Sequence, residues 1–161
     1  MNGTVLITGA SRGIGRACAL AFGKAGWCVA ANYNKSGQEA ERLLDELRRM
    51  HVSADVFRAD VSDAAQVSEM LGKAEARFGS VTALVNNAGI AQQKLFTDVT
   101  EAEWQRMFDV NVKSMFLCTR AVLPGMISAK RGCIVNLSSI WGMAGASCEV
   151  PYSASKAAVI G

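Results

Sequence analysis

The sequence predicts an α/β fold in which a parallel sheet is covered by helices on both faces. Short apolar runs alternate with helical segments along the chain, and 50% of the 161 residues are hydrophobic while 19% are charged. So few charged residues leave enough apolar ones for strands that are buried on both faces. Alternating strands and helices form a doubly wound sheet, which binds ligands at the carboxyl ends of its strands. We therefore expect a single domain with its site at that edge.

Five apolar runs are the predicted strands, because each is short and rich in aliphatic residues. They are Val5–Thr8, Cys28–Asn32, Asp55–Phe57, Ala83–Asn86 and Cys133–Leu137.

Helices are predicted between these strands and after the last one. Apolar spacing and end signals place them over residues 13–25, 36–50, 63–78 and 100–124, with a further helix beginning near Pro151. Two of them open with a capping box, in which a hydroxyl residue precedes a glutamate by three positions. These pairs are Ser36 with Glu39 and Thr100 with Glu103.

Composition excludes several function classes. The net charge is only +3 and the basic residues are scattered, which argues against a nucleic acid or a membrane surface as partner. The longest apolar run, Ala17 to Phe22, is far too short to span a bilayer. Five cysteines without a Cys-x-x-Cys pair, and dispersed acidic residues, indicate reduced thiols, no metal site and a cytoplasmic protein.

A glycine-rich turn follows the first strand and leads directly into a helix. It reads Thr8-Gly9-Ala10-Ser11-Arg12-Gly13-Ile14-Gly15. Glycines let the backbone approach a pyrophosphate, and the free amides of the helix start supply donors and a partial positive charge. A tight turn packed on the sheet would also use glycines, so the turn alone is weak evidence. If it binds phosphate, the contacts come from Gly9, Ser11, Arg12, Gly13, Ile14 and Gly15.

The turn resembles the Thr-Gly-x-x-x-Gly-x-Gly turn of the short-chain dehydrogenases/reductases. Four more stretches fall where that family has them, in order along the chain. They are Asp60-Val61, Asn86-Asn87-Ala88-Gly89, Asn111, and Ser139 with Tyr152-Ser-Ala-Ser-Lys156. The resemblance implies a Rossmann fold that binds a nicotinamide dinucleotide, with Asp60 and Val61 along the adenine and Asn87, Ala88 and Gly89 at the cofactor. Family members are longer, so we expect a C-terminally incomplete domain that lacks the last strands and helix.

The residues after the second strand favour NADP(H) over NAD(H). An NAD site usually places an acidic residue there, which binds the ribose 2′-hydroxyl. This chain instead has Asn32-Tyr33-Asn34-Lys35-Ser36, with no acid. Arg12, Lys35 and Ser36 could face a 2′-phosphate, and Asn32 lies beside them. The alternative is that Arg12 and Lys35 are ordinary surface charges.

Tyr152 and Lys156 stand four residues apart, so they share one face of a helix. A phenol with an ordinary pKa near 10 is a slow acid or base at neutral pH, and a nearby ammonium favours its ionised form. The resemblance implies that Tyr152 protonates a substrate carbonyl and that Ser139 rather than Ser138 holds its oxygen. It also implies that Lys156 binds the nicotinamide ribose and that Tyr152 contacts the cofactor. For Asn111 it implies a helix turn that binds a relay water; the alternative is a core amide bonded to nearby backbone.

The segment 140–151 lies between Ser139 and Tyr152 and is predicted to form one wall of the substrate pocket. Trp141, Met143 and Cys148 make it apolar, whereas Glu149 adds a charge. The pattern is most similar to the 3-oxoacyl-acyl carrier protein reductases of the family, which implies an acyl-carrier-protein-bound substrate, Lys130 and Arg131 as contacts for the acidic carrier, and a homo-oligomer (dimer or tetramer).

Other functions remain open at this stage. A branch of the family reduces an aminoketone attached to a lysine of elongation factor P, and Glu149 would suit its amine. Reduction of a free ketone or sugar is a third possibility. A non-catalytic dinucleotide-binding protein or a truncated inactive form is the alternative from another class.

Overall fold

The computed structural model describes residues 2–161, which form a five-stranded parallel sheet between two layers of helices. The strands are β1 (Thr4–Ile7), β2 (Cys28–Tyr33), β3 (Ala54–Arg58), β4 (Val81–Asn86) and β5 (Cys133–Asn136). The helices are α1 (Gly13–Lys24), α2 (Gly37–Arg49), α3 (Ala64–Phe78), α4 (Glu101–Phe108), α5 (Ser114–Ser128), α6 (Trp141–Ala144) and α7 (Val150–Ile160). The predicted α/β fold is confirmed.

The strand order, β3-β2-β1-β4-β5, places β1 at the centre of the sheet. The chain runs outward through β2 and β3 and then returns to add β4 and β5 on the other side. This reversal creates a crevice at the carboxyl ends of β1 and β4, which is where open α/β sheets bind ligands.

The sheet separates two apolar cores because successive strand residues point to opposite faces. Leu6 and Leu84 pack with Met70, Leu117 and Met126 on the side of α3 and α5. Another cluster, on the side of α1 and α2, contains Val5, Ile7, Ala19, Leu43 and Leu47. Strands β1, β2 and β4 are almost entirely buried, whereas three of the four residues of β5 are exposed.

The two predicted capping boxes have different outcomes. At α4, Thr100 Oγ1 accepts from the Glu103 amide at 3.2 Å, and the Glu103 carboxylate accepts from the Thr100 amide at 2.8 Å. At α2 the prediction is wrong, since the Ser36 side chain makes no capping hydrogen bond. The Ser36 backbone has a ψ of 64°, outside the extended conformation that Thr100 adopts, and this conformation does not suit a capping side chain.

The long fourth helix that the sequence predicts is divided. A π-helical segment, Asp109–Lys113, separates α4 from α5, and α5 continues past the predicted stop at Pro124 to Ser128. Proline removes only the hydrogen bond to the carbonyl of Arg120, which is an exposed residue, so the helix can continue. The short helix α6 (Trp141–Ala144) was not predicted, because four residues are too few to show a helical apolar spacing.

Cys18, Cys118, Cys133 and Cys148 form no disulfide bond. Among residues 2–161 there is no cluster of side chains suited to a metal ion. Within that same range, no helix combines the length and the apolar character needed to cross a bilayer.

Candidate active site

The glycine-rich turn connects β1 to α1 and leaves the start of α1 open. Arg12 occupies the N-cap position in an extended conformation, and its side chain makes no capping bond. Gly9 and Gly13 have φ of 63° and 55°, a left-handed region that favours glycine. A Cβ at Gly13 would meet nothing within 4 Å. The uncapped amides of the first helical turn are therefore available to an anion.

Gly15 has a different role from the other glycines of the turn. A Cβ there would lie 2.5 Å from the Gly9 carbonyl oxygen and would overlap the Asn87 side chain. Gly15 is buried, whereas Gly13 is exposed. We conclude that Gly15 allows the helix to pack against the turn, and that contacts to a ligand fall to the residues around it.

A cavity of about 630 Å³ lies over the turn at the carboxyl ends of the strands. Of the residues predicted to bind a cofactor, Gly15, Tyr152 and Lys156 are not part of its lining. The lining includes Gly9, Ser11, Arg12, Gly13, Ile14, Asn32, Lys35, Ser36, Asp60, Val61, Asn87, Ala88 and Gly89. Residues that are 80 positions apart in the sequence are thus brought to one surface.

The side-chain amides of Asn32, which is buried, and of Asn87, which is half-buried, hold the turn in place. Asn32 accepts from the Gly9 amide at 3.2 Å through Oδ1 and donates to the carbonyls of Phe57 and Ala59 at 3.2 and 3.1 Å. Asn87 donates through Nδ2 to the carbonyls of Thr8 and Gly9, both at 2.9 Å. Both side chains line the cavity but have protein partners. They set the shape of the turn rather than leaving polar atoms free.

Two cations at the cavity, Arg12 and Lys35, form no ion pair with any residue in the range 2–161. Both are exposed. Together with the open amides of α1, they give this end of the cavity an excess of positive charge. Its volume, its backbone donors and this charge fit a dinucleotide, whose phosphate groups are anionic.

A second, smaller cavity of about 190 Å³ continues from the first and contains Tyr152 and Lys156. Ile14, Asn87, Gly89 and Ile90 border both cavities. The Lys156 ammonium lies 5.9 Å from the centre of the Tyr152 ring and donates to the Leu137 carbonyl at 2.8 Å. The predicted pair therefore shares one face of α7.

Lys156 is only 4% exposed, and no carboxylate pairs with it within residues 2–161. Burial lowers its pKa below the ordinary value for a lysine, since desolvation disfavours the charged form. The ammonium is left without a counter-charge, which makes it sensitive to any negative charge that forms beside it, such as a phenolate.

Asn111 lies within the π-helical segment and is completely buried. Its Nδ2 donates to the Ile90 carbonyl and to Ser155 Oγ, both at 2.9 Å, and its Oδ1 accepts from the Ile90 amide at 2.8 Å. Ser155 Oγ in turn donates to the Tyr152 carbonyl at 2.7 Å. The side chain thus matches the core-amide interpretation and joins the loop after β4 to α7.

The two serines after β5 differ in their contacts. Ser138 lines the smaller cavity, and its hydroxyl donates to the Lys156 carbonyl at 2.7 Å. Ser139 Oγ accepts from the Trp141 amide at 3.2 Å, which leaves its own proton available for another acceptor.

The predicted substrate wall consists of α6 and the turn that follows it. Met143 is 77% exposed, and Trp141 and Ile140 are also exposed. Cys148 has a φ of 59°, and its carbonyl accepts from the Lys94 amide at 2.8 Å. Glu149 Oε1 accepts from Gln93 Nε2 at 3.2 Å, and no cation pairs with this carboxylate in the described part of the chain.

A family model described as short chain dehydrogenase matches residues 3–161. The chain belongs to the short-chain dehydrogenase family. This confirms the resemblance that the motifs indicate.

Curated relatives within the short-chain dehydrogenase family carry the name 3-oxoacyl-(acyl-carrier-protein) reductase. The protein FabG of Staphylococcus epidermidis is 42% identical over all 161 residues, and FabG of Staphylococcus aureus is 40% identical. A reductase of Synechocystis is 39% identical over 156 residues, or 97% of this chain. The chain spans 66%, 65% and 63% of these relatives, respectively.

Arg106 is a residue of the short-chain dehydrogenase site that sequence reasoning missed. It lies on α4 and lines the larger cavity, and its guanidinium donates to Asp60, which also lines that cavity, and to Ser62. No motif marks it, because an arginine on a helix surface is usually solvated. Only its contacts with Asp60 and Ser62, in the loop after β3, reveal it.

Proposed function

We propose that this protein reduces a carbonyl to a hydroxyl with NADPH, and that the substrate is a 3-oxoacyl thioester carried by acyl carrier protein. One observation carries the reaction type. Tyr152 lies beside the ammonium of Lys156, which is buried and has no carboxylate partner, and both residues border a cavity next to the one that fits a dinucleotide. The names of the relatives support the substrate.

In this proposal the cofactor is held by the residues of the larger cavity. When the cofactor is bound, the amides of the α1 start would hold its pyrophosphate, Asp60 and Val61 would lie along its adenine, and Asn87-Ala88-Gly89 would border its nicotinamide half. Arg12, Lys35 and Ser36 would face the 2′-phosphate, since Arg12 and Lys35 are cations at the cavity that form no ion pair within residues 2–161. When bound, the cofactor supplies a hydride to the substrate carbon.

The chain's own residues supply the proton. Tyr152 donates its phenolic proton to the carbonyl oxygen as the carbon is reduced, and the Ser139 hydroxyl donates a hydrogen bond to the same oxygen. Lys156 stabilises the resulting phenolate, because an ammonium favours a neighbouring anion. The side chain of Asn111 is occupied by protein partners, so the backbone of the wide helix turn around it would hold the water that connects Lys156 to solvent and returns the proton to Tyr152.

The reaction is tested by the initial rate of NADPH oxidation with an acetoacetyl thioester. Tyr152→Phe is expected to lower kcat by about 100- to 10,000-fold, the usual contribution of an acid–base residue, while the affinity for NADPH is unchanged. A Tyr152→Phe enzyme with the kcat of the parent would contradict the assigned acid.

Cofactor preference is tested separately. Arg12→Ala and Lys35→Ala should each raise the KM for NADPH about tenfold, as for loss of a hydrogen bond to a charged group, and leave the KM for NADH unchanged. Equal changes for both cofactors would contradict the assigned 2′-phosphate contacts.

A second candidate substrate is an aminoketone, such as the one on a lysine of elongation factor P. The observation that favours it is the carboxylate of Glu149, which stands at the substrate wall without a cation. Glu149→Gln should then weaken turnover of an aminoketone and leave an acetoacetyl thioester unaffected. If the parent reduces the thioester and ignores the aminoketone, this candidate is excluded.

Location and assembly belong to the same proposal. We expect a cytoplasmic protein that forms a homo-oligomer, with Lys130 and Arg131 available to the acidic surface of the carrier. Both residues are exposed.

A further inference from the structure

Arg106 bridges two parts of the site that are far apart in sequence. It projects from α4, and both terminal nitrogens of its guanidinium are engaged. Nη1 donates to Ser62 Oγ at 2.8 Å and Nη2 donates to Asp60 Oδ2 at 3.0 Å. A guanidinium that lines a dinucleotide cavity could bind a phosphate, but this one already has protein partners on both ends.

The carboxylate of Asp60 is held at both oxygens. Oδ1 accepts from the Ser62 amide at 3.0 Å and from Ser62 Oγ at 2.6 Å, while Oδ2 accepts from Arg106. A carboxylate oxygen accepts about two hydrogen bonds, so Oδ2 keeps capacity for one more donor. Asp60 lines the larger cavity, and that donor can therefore come from a ligand.

Burial raises the pKa of Asp60, but the hydrogen bonds from Ser62 and Arg106 outweigh it and lower the pKa to about 2. The group is ionised at any physiological pH and can only accept hydrogen bonds. Adenine presents an exocyclic amino group, which donates, whereas hypoxanthine has a carbonyl oxygen at that position, which an anionic carboxylate repels.

We propose that Arg106 is a positioning residue that fixes the Asp60 carboxylate as the acceptor for the adenine amino group. The inference rests on the proposed function, since it takes the larger cavity as the cofactor site. It assigns Arg106 an indirect role through Asp60, in place of direct contact with a cofactor phosphate.

The test compares binding of NADPH and of its deamino analogue, in which hypoxanthine replaces adenine. Dissociation constants are measured by calorimetry for the chain and for Arg106→Met. The parent should bind NADPH about tenfold more tightly than the analogue, as for one hydrogen bond to a charged group. In Arg106→Met the ratio of the two dissociation constants should fall towards one, because the substitution weakens the binding of NADPH more than that of the analogue.

Two controls separate positioning from a general structural effect. Arg48→Met removes an arginine that also faces an aspartate, Asp45, but on the exposed surface of α2, and should leave the ratio unchanged. Reduced nicotinamide mononucleotide, which lacks adenine, should bind the parent and Arg106→Met equally well. Arg106→Lys, with one donor group, should restore part of the ratio if Arg106→Met folds poorly.

The outcomes are distinct. Equal losses of NADPH and of the deamino analogue in Arg106→Met overturn the inference and indicate direct contact with a phosphate. Weaker binding of the mononucleotide by Arg106→Met also overturns the inference, because Arg106 would then be needed for the whole site. If the parent binds neither dinucleotide, the proposed function itself fails and the inference fails with it.

Discussion

The two sides of the sheet crevice are built differently. On the proposed cofactor side, β1 is entirely buried, and Asn32 and Asn87 hold the glycine-rich turn through hydrogen bonds to backbone. On the proposed substrate side, β5 is largely exposed, and so are Met143 and Trp141 of α6. One side presents backbone amides in a fixed frame, and the other presents side chains. A backbone frame suits a ligand that never changes, whereas side chains can be exchanged to suit different substrates.

The largest expected difference between the two sides is in the free energy of unfolding that is lost when a strand residue is shortened. Leu84 of β4 is fully buried, and Leu84→Ala should lower the free energy of unfolding by about 2–5 kcal/mol because it leaves a cavity in the core. Val135 of β5 is 46% exposed, so Val135→Ala should cost less than about 1 kcal/mol. Chemical denaturation of the 161-residue chain measures both changes. Similar losses of unfolding free energy would contradict the difference between the buried and the exposed strand.

One position on the substrate side is as constrained as the cofactor side. A Cβ at Gly142 would lie 2.7 Å from the Lys156 carbonyl carbon and 2.9 Å from the Ala157 amide nitrogen. Gly142→Ala should therefore push α7 away and lower kcat about 100-fold, since a displacement of about 1 Å can cost that much. Gly72→Ala, on the exposed surface of α3 with open space around the added Cβ, is the control. Normal turnover by Gly142→Ala would show that α6 can move freely.

Acid should weaken the cofactor side through Asp60. The pKa of Asp60 is lowered from its unfolded value near 4 to about 2. Its contribution is complete above pH 4 and disappears as the pH falls from about 4 to about 2, by up to about 2 kcal/mol. Asp60→Asn should flatten that part of the curve of unfolding free energy against pH. If Asp60→Asn left the slope of this curve unchanged, the hydrogen bonds from Ser62 and Arg106 to Asp60 would contribute little to stability.

The smallest contrast concerns two hydroxyl residues at helix starts. Thr100→Ala should cost about 1 kcal/mol, because Thr100 caps α4. Ser36→Ala should cost almost nothing in stability, since Ser36 makes no cap, yet weaken NADPH binding if its hydroxyl faces the 2′-phosphate. Thermal unfolding and calorimetric binding separate the two effects. A stability loss at Ser36 equal to that at Thr100 would contradict the observed geometry.

The fold and the glycine-rich turn were predictable because their signals are local. Apolar runs, glycines and the spacing of Tyr152 and Lys156 are each written within a few residues. Contacts between distant segments were not predictable in the same way. The side chain of Asn32 accepts a hydrogen bond from the Gly9 amide, and Arg106, which is 46 residues after Asp60, donates to the Asp60 carboxylate. Neither contact follows from propensity or spacing, since both depend on how β2, β3 and α4 pack.

The division of the predicted long helix has a similar cause. Apolar spacing continues through residues 104–117, and a π-helical segment disturbs it by only a fraction of a turn. The apolar spacing therefore predicts one continuous helix. The extra width appears where Asn111 must reach both Ile90 and Ser155, which are contacts that the helix itself does not encode.

The π-helical segment Asp109–Lys113 also makes this stretch of the chain sensitive to its length. A π-helical turn is equivalent to one residue inserted into an α-helix, where each residue turns the helix by about 100°. Deleting any single residue from it would let the helix become regular, but would rotate α4 and everything it carries relative to α5. The segment should therefore tolerate most side-chain changes better than it tolerates the loss of one residue, a constraint on insertions and deletions that no single side chain reveals.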